Sequence, residues 1–484
     1  MNASQVRPDR KMWSGTFRVL LAESLLLPTG LLTAAYLTRT LGPGLYGLLT
    51  LVSVLIGWLE WGITSVFSRT TIKLAGEQED WRPIGTLALR LHLLASLGCT
   101  LLIWLLAGPI AEQLHEPKLE FFLRLLSLDI PLFCLAATHR DLLIAKGAFR
   151  ERAVASAWRW LSKLVIVVGL VELGLSIEGA LIGAIVSSLI ELVVCRYYVR
   201  PSLFQHIELP IRKALDYALP LFLFAVAMQL YDRLDLILLK VLGGTNEMAG
   251  YFGAAQNLSI VPGLFALSFS PLLLSTLSRL GHEGGREEAQ DVLRNALRLT
   301  TCLLPFAALA AGCAPEAVTL LFGATFAPVA PIFSILIFGA GGLVMISVAT
   351  ASLTATGRPG LTFLLTGPMV PLAVIAHLIV IPKFGPIGAA WVTTAGTLLG
   401  ALVTLVAVAR IWDVLPPLYS SLRSLLISAL IYLAAVLVPA TGAVILLELL
   451  VLAAMIPLAY WALGELSSSE LQLLRLKLRN TVKR

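Results

Sequence analysis

The stretch YLTRTLGPGLYGLLTLVSVL, Tyr36 to Leu55, sets one arginine and a Gly-Pro-Gly turn between two long apolar runs. Later in the chain, LLKVLGGTNEMAGYFGAAQNL, Leu238 to Leu258, has the same parts in the same order. In each stretch a cation is followed by Leu-Gly, a short turn, a Tyr close to a Gly, and a second apolar run. A corner that occurs twice in one chain indicates an internal duplication of membrane-spanning helices.

The composition places the chain in a membrane. It has 484 residues, of which 58% are hydrophobic and 13% charged, with a mean hydropathy of +0.87. Soluble domains carry about 25% charged residues. Apolar runs of about 20 residues recur along the chain, as needed to cross a hydrocarbon core about 30 Å thick. The short alternating segments of a membrane barrel are absent. We predict an all-α polytopic membrane protein with about fourteen transmembrane helices. They centre near residues 27, 57, 97, 130, 164, 188, 227, 264, 302, 340, 371, 398, 429 and 452.

The cations alternate between successive connections. With the amino terminus inside, the inner segments hold most of the Lys and Arg residues, and cytoplasmic loops carry such an excess. The outer connections hold four: Arg39, Lys118, Lys240 and Lys383. Both termini are therefore predicted to be cytoplasmic. The net charge of +7 reflects this topology and contact with anionic membrane lipids, and no nucleic-acid partner is expected.

Further matches extend the duplication. LLIAKGAFRERA (142–153) and SLTATGRPGLTF (352–363) follow spans four and ten, and IEGALIGAIVSSLIELVV and PIGAAWVTTAGTLLGALV open spans six and twelve. Six is an even number of spans, so the copies enter from the same face and form parallel repeats. We predict six-helix lobes at 1–210 and 211–415, two additional transmembrane helices at 416–464, and a basic amphipathic tail at 465–484.

These residues resemble a known family. The stretch at 36–57 after a basic amino terminus, together with LLIAKGAFRERA, DRLDLILLKVLGG and AGYFGAAQNLS, is similar to the oligosaccharide flippases. These are the O-antigen and polysaccharide repeat-unit exporters of the multidrug/oligosaccharidyl-lipid/polysaccharide exporter superfamily. The resemblance implies six plus six plus two spans in the cytoplasmic membrane. It implies that the protein moves a polyprenyl-diphosphate-linked oligosaccharide from the inner to the outer leaflet for polysaccharide biosynthesis, with a polysaccharide polymerase or assembly machinery as partner.

Charged residues inside spans indicate function, because they are costly in lipid. Span seven holds Asp232, Arg233 and Asp235, which we expect to face a substrate cavity. The alternative is a self-neutralising cluster that only orders the helix. Glu23 and Glu60 are candidates for coupling to H⁺ or Na⁺, or for structural hydrogen bonds between helices.

Asp129 in span four has the same two interpretations as Glu60, with Arg124 as its expected partner. Cations nearer the inner interface are explained most simply by snorkelling. They are Arg18, Arg69, Arg90, Arg159 and Lys163. Guanidinium groups also bind phosphate in bidentate fashion. The resembling family lines its cavity with spans one and two, so Arg18 and Arg69 are the favoured diphosphate ligands.

Signatures of an enzyme are absent. The sequence has no phosphate-binding Gly-rich loop ending in Lys-Ser/Thr. Its five cysteines show no metal-ligand spacing. We predict no catalytic residues, no metal site and no cofactor. The paired lobes favour transport by alternating access. Two alternatives stay open: an ion-coupled drug or organic-cation antiporter of the same fold, and a membrane-embedded glycan polymerase or transferase.

Overall fold

The structure is a computed structural model that describes residues 25–465, except for residues 79, 204–232, 283–284, 357–358, 441 and 443. Within that part of the chain the regular secondary structure is helical, without a strand. The named helices are α1 Leu26–Glu77, α2 Arg82–Gln113, α3 Lys118–Leu126, α4 Asp129–Ala145, α5 Phe149–Leu170, α6 Ser176–Tyr198, α7 Asn246–Leu258, α8 Val261–His282, α9 Arg286–Thr301, α10 Leu304–Gly312, α11 Ala314–Phe322, α12 Val329–Ala355, α13 Pro359–Thr366, α14 Met369–Trp412, α15 Leu418–Leu437 and α16 Val444–Ala462. Residues 233–241 are also helical.

Glycine and proline divide three of the longest helical stretches. Gly42 (φ 71°), followed by Pro43, kinks α1, and Gly385 (φ 55°) kinks α14. Gly174 (φ 90°) lies in a π-helical turn, Val171–Leu175, between α5 and α6. Positive φ is accessible to glycine without the steric cost that a Cβ brings. Each break separates two predicted spans that otherwise run together.

The predicted fold class is confirmed. In the described residues, nine helical stretches are long and apolar enough to cross a bilayer. The kinked ones contain two predicted spans each. Every predicted span centre in this part of the chain lies on a helical stretch, and the centre near 227 lies outside it.

The chain forms two compact units, Met1–Gly253 and Ala254–Arg484. In the first, α1, α2, α4, α5 and α6 share a core. It contains Ala75, Ile84, Leu142, Leu143, Ala155, Cys195 and Val199. In the second, one core joins α8, α9, α12 and α14. Another packs α15 and α16 against α10. Lipid is as apolar as leucine, so close packing rather than escape from water stabilises these contacts. The lobe boundary at 210/211 stays a prediction.

The duplicated corners pack against each other within the first unit. A Cβ on Gly47 would overlap the Asn246 carbonyl oxygen, and a Cβ on Gly250 would overlap that of Pro43. Glycine thus lets the backbones of α1 and α7 approach closely, as small residues do between membrane helices. Beside this contact, Lys240 Nζ donates to Asn246 Oδ1 (2.7 Å) and Asn246 Nδ2 donates to Glu116 Oε2 (2.6 Å). The two copies of the corner thus contact each other.

Candidate functional site

A helix break within the Lys118–Ala145 span creates the first part of the site. α3 ends at Leu126 and α4 begins at Asp129. α2 satisfies polar groups at the break: Thr100 Oγ1 donates to the Ser127 carbonyl (3.1 Å), and Trp104 Nε1 donates to Ser127 Oγ (3.0 Å). Irregular backbone at membrane depth requires such partners. The break leaves the amino-terminal end of α4, and with it Asp129, inside the bundle.

A buried carboxylate holds two guanidinium groups. Glu191 of α6 is fully buried; its Oε1 lies 3.1 Å from Arg140 Nη1, and its Oε2 lies 2.9 Å from Arg159 Nη1. The ring of Phe133 lies under both guanidinium groups, with its centroid 5.4 Å from Arg140 Cζ and 4.6 Å from Arg159 Cζ. A cation over an aromatic face is stabilised by the ring quadrupole. The two guanidinium groups therefore have fixed positions.

A second acidic group adjoins this pair. Asp129 is 5% exposed and lies within electrostatic reach of Glu60, Arg159, Lys163 and Glu191. We call the set Glu60, Asp129, Arg140, Arg159, Lys163, Ser188 and Glu191 the acid–base cluster. It draws its members from α1, α4, α5 and α6. With every group ionised, its three carboxylates balance its two guanidinium groups and one ammonium.

Two buried oxygens in the cluster are unsatisfied. Neither Asp129 Oδ1 nor Ser188 Oγ makes a hydrogen bond of good geometry among the described residues, although Ser188 is fully buried and its hydroxyl, a potential donor, faces the Asp129 carboxyl group. Leaving a buried donor or acceptor unpaired costs about 1–3 kcal/mol.

The cations remain reachable. The side chains of Arg140 and Arg159 are 19% and 12% exposed, and Lys163 is partly exposed. The neighbouring acid Glu60 is partly exposed as well. Full exposure of such groups to acyl chains would be costly. A partly accessible guanidinium held by a buried carboxylate can donate two hydrogen bonds to phosphate oxygens in bidentate geometry. The cluster thus combines cations that can bind an anion with carboxyl groups that lie beside them.

The comparisons with known proteins agree with this architecture. The family described as "Polysaccharide biosynthesis protein" matches residues 36–331. The chain belongs to this family. It is 26% identical over 346 residues to the "Succinoglycan biosynthesis transport protein ExoT" of Rhizobium meliloti (strain 1021), a match that covers 68% of this chain and 66% of that protein. The resemblance read from the sequence motifs is confirmed.

Solved structures share the fold. The chain is similar to "Lipid II flippase MurJ, inward closed conformation", with a TM-score of 0.76, 17% identity, and coverage of 94% of this chain and 97% of that one. It is also similar to an outward-facing "multidrug resistance MATE family transporter of the MOP superfamily", with a TM-score of 0.63, 14% identity, and coverage of 83% and 95%. These relatives are transport proteins and a flippase, not enzymes. This polysaccharide biosynthesis family member is therefore a multi-pass membrane protein with their fold.

The predicted site residues fall into three groups. Arg18, Glu23 and Asp232 lie outside the described residues, and Arg69 lies on α1 with no description of its side chain. Asp235 is 1% exposed, and its Oδ1 accepts a hydrogen bond from Leu236 N (2.8 Å). Arg233 is half-buried, and both it and Asp235 have further partners. Glu60 and Asp129 are predicted residues that the structure places in the acid–base cluster.

Two interpretations from the sequence are wrong. Arg124 is not the partner of Asp129, because its Nη2 lies 2.8 Å from Glu120 Oε1, at i,i+4 spacing on α3. Arg159 is not a snorkelling cation, because it pairs with the buried Glu191. Glu191 itself was missed. It stands alone in the apolar run SSLIELVV, so the rule that singled out Glu23 and Glu60 applies to it equally.

Proposed function

We propose that this protein carries a polyprenyl-diphosphate-linked oligosaccharide from the inner to the outer leaflet of the cytoplasmic membrane by alternating access, for polysaccharide biosynthesis. The observation that carries the proposal is the pair of partly accessible guanidinium groups, Arg140 and Arg159, held by the buried Glu191. A diphosphate is the part of such a substrate that lipid solvates worst, so it needs fixed cations inside the membrane. Arg140, Arg159 and Lys163 supply them.

Family and fold support the same substrate class. The named curated relative acts in succinoglycan biosynthesis transport, and the named structural relative is a lipid II flippase. We also propose that both termini are cytoplasmic. Tags at either terminus should be protected in right-side-out vesicles, whereas a tag after Thr245 should be accessible from outside.

The test is transport by purified protein in proteoliposomes. A radiolabelled polyprenyl-diphosphate oligosaccharide is supplied in one leaflet, and its appearance in the other is followed with a membrane-impermeant glycosidase. Arg159→Lys keeps the charge but loses the planar fork, so we expect transport to fall about tenfold or more. Arg124→Lys is the matched control, because Arg124 lies on α3 and makes an exposed pair with Glu120.

A second variant separates binding from folding. Arg159→Gln with Glu191→Gln removes one charge of each sign, so no buried carboxylate is left without its partner. Arg140 loses the Glu191 charge but keeps a further partner, and the amide oxygen introduced at position 191 can still accept its hydrogen bond. We expect this double variant to fold, as judged by a single peak in gel filtration, and to be inactive. Normal transport by the folded double variant would refute the proposed role of Arg159.

A drug or organic-cation antiporter is the second candidate. The acidic side chains Glu60 and Asp129 favour it, since carboxylates attract cationic substrates, and the fold is shared with a multidrug transporter. Uptake of an organic cation such as ethidium that depends on Asp129, with no movement of the lipid-linked oligosaccharide, would favour this function over the flippase.

A further inference from the structure

We infer that the indole N–H of Trp160 binds the sugar that is joined to the diphosphate, so that the site selects a glycosylated carrier over bare polyprenyl diphosphate. The inference rests on the proposed function and deepens it. Trp160 follows Arg159 on α5, and its ring lies beside that guanidinium group, with 5.4 Å between Arg159 Cζ and the ring centroid. Groups that are neighbours along the substrate can therefore bind to these two neighbouring side chains.

The side of α5 that carries Trp160 is turned away from lipid. Trp158, Leu161 and Val165 form the exposed stripe of this helix. With about 3.6 residues per turn, Trp160 lies on the other side, together with the buried Val167. Its side chain is half-buried, so it belongs to the wall of the acid–base cluster and not to the lipid-facing surface.

Two N–H donors on this wall have no acceptor. Arg159 gives Nη1 to Glu191 (2.9 Å), whereas its Nε is buried without a hydrogen-bond partner among the described residues. The indole Nε1 of Trp160 is likewise buried without a partner in the part of the chain that the structure describes. An unpaired buried donor costs about 1–3 kcal/mol. A ligand that brings acceptor oxygens to both donors removes this cost.

The orientation of the Arg159 guanidinium group is set from two sides. Glu191 holds Nη1, and the ring of Phe133 lies 4.6 Å from Cζ. The opposite edge of the planar group, which carries Nε, is left for a ligand. A guanidinium edge binds phosphate in bidentate geometry. A phosphate bound there places the next group of the substrate beside Trp160.

The two unpaired donors suit different parts of the substrate. Hydrogen bonds with a charged donor are about twice as strong as neutral ones, so phosphate oxygens bind to the guanidinium groups and to Lys163. The indole nitrogen is a neutral group that only donates. It is left for a neutral oxygen, such as a hydroxyl oxygen of the sugar. The isoprene unit on the other side of the diphosphate has no acceptor, so Trp160 lies on the sugar side.

The second unit lacks this donor at the matching position. The match of 142–153 with 352–363, continued along the chain, pairs Trp160 with Val370 of α14. An apolar side chain therefore occupies the equivalent place in the second copy of the helix. Packing of the repeat does not require an indole N–H there, which leaves the donor of Trp160 available to a ligand.

Binding of two kinds of probe to the full chain in nanodiscs tests the inference. One probe is farnesyl diphosphate, and the others are farnesyl diphosphates that carry glucose, galactose or N-acetylglucosamine. A site with a buried donor discriminates against a ligand that leaves the donor unpaired. We expect at least one glycosylated probe to bind the wild type with a Kd about fivefold or more below that of farnesyl diphosphate.

Trp160→Phe keeps an aromatic ring beside Arg159 and removes the N–H. It should raise the Kd of the preferred glycosylated probe about fivefold and leave the Kd of farnesyl diphosphate unchanged. Trp158→Phe is the matched control, because it removes an indole N–H from the exposed side of the same helix, and it should bind both probes as the wild type does. Thermal unfolding of each variant establishes that it is folded.

Each result has a distinct meaning. If no probe binds the wild type, the proposed function itself fails. If the wild type binds farnesyl diphosphate as tightly as every glycosylated probe, the sugar contact is wrong and the flippase proposal stands; this comparison needs no variant. If Trp160→Phe weakens both kinds of probe equally, the indole contacts the diphosphate, and if it weakens neither, the indole does not contact the substrate. Both of these outcomes also overturn the inference.

Discussion

Equivalent helix contacts in the two repeats are made by chemically different side chains. In the first unit, Arg159 of α5 pairs with Glu191 of α6. The span-six and span-twelve segments match Glu191 to Gly400, and the match of 142–153 with 352–363, continued six residues along the chain, pairs Arg159 with Met369. Both partners lie on α14, where a Cβ on Gly400 would lie 2.6 Å from Met369 Sδ. The same two positions are thus in contact in both units. One contact is a buried ion pair, and the other is a methionine packed over a glycine.

A second pair of matched positions behaves in the same way. Asp129 faces Ser188 in the first unit. Ser188 matches Thr397 within the span-six and span-twelve segments, and the match of 142–153 with 352–363, extended back along the preceding helix, pairs Asp129 with Gly339. A Cβ on Gly339 would lie 3.3 Å from Thr397 Oγ1. The fold therefore makes these helix contacts from small and apolar side chains alone. The charges of the first unit are not needed for packing, and we propose that they serve the substrate.

Glu191→Gly should have the largest effect on stability. It installs the residue found at the matching position of the second unit, but it leaves the guanidinium groups of Arg140 and Arg159 without the Glu191 carboxylate. Breaking a buried ion pair from one side costs about 3–5 kcal/mol. We expect most folded protein to be lost, measured as the yield of monodisperse protein after purification. A normal yield would mean that this contact is as tolerant as its apolar counterpart.

The repeated corner predicts the next effect, because here the two copies resemble each other. Gly47→Ala places a methyl group against the backbone of α7, so we expect it to lower the free energy of unfolding by about 1–3 kcal/mol or more. Gly57→Ala is the matched control, since a Cβ there meets nothing within 4 Å. Equal melting temperatures for the two variants would show that α1 and α7 do not pack as described.

A buried ion network of the second unit, at the end of its last helix, predicts a smaller, pH-dependent effect. Glu465 Oε1 lies 2.7 Å from Arg298 Nε, and Oε2 lies 2.7 Å from Arg423 Nη1. Burial alone would raise the pKa of Glu465. Hydrogen bonds from Ser420, Arg423 and Arg298, with the charge of Arg298, outweigh it, so the pKa lies below the ordinary value.

A lowered pKa in the folded state stabilises the protein above the ordinary carboxyl pKa, and this stability is lost as the pH falls through the folded-state value. Glu465→Gln should therefore lower the melting temperature at about pH 7 and have little effect at about pH 3. A deficit that is the same at both pH values would show that the charge of Glu465 is not what stabilises this network.

Hydropathy and turn residues were sufficient to predict the fold. The length of each apolar run shows whether it can cross the membrane. Gly42 and Gly385 mark the places where two spans join into one kinked helix. The likeness to the lipid II flippase could not be read from motifs, because only 17% of the residues are identical.

The acid–base cluster was only partly predictable. The sequence identifies Glu60 and Asp129 as polar residues at membrane depth, since that depends on position along one span. The partnership of Arg159 with Glu191 depends on how α5 and α6 rotate about their axes, and the sequence of either helix alone does not encode this. Glu191 could have been noticed as a lone acid, but its two guanidinium partners could not have been assigned.

Transport by one transplanted variant tests the central claim most directly. Arg140→Thr, Arg159→Met and Glu191→Gly together give the first unit the residues found at the matching positions of the second, Thr350, Met369 and Gly400. We predict that this triple variant recovers the yield lost in Glu191→Gly and moves no polyprenyl-diphosphate oligosaccharide in proteoliposomes. Transport at the wild-type rate by the folded triple variant would contradict the claim that the buried charges of the first unit bind the substrate.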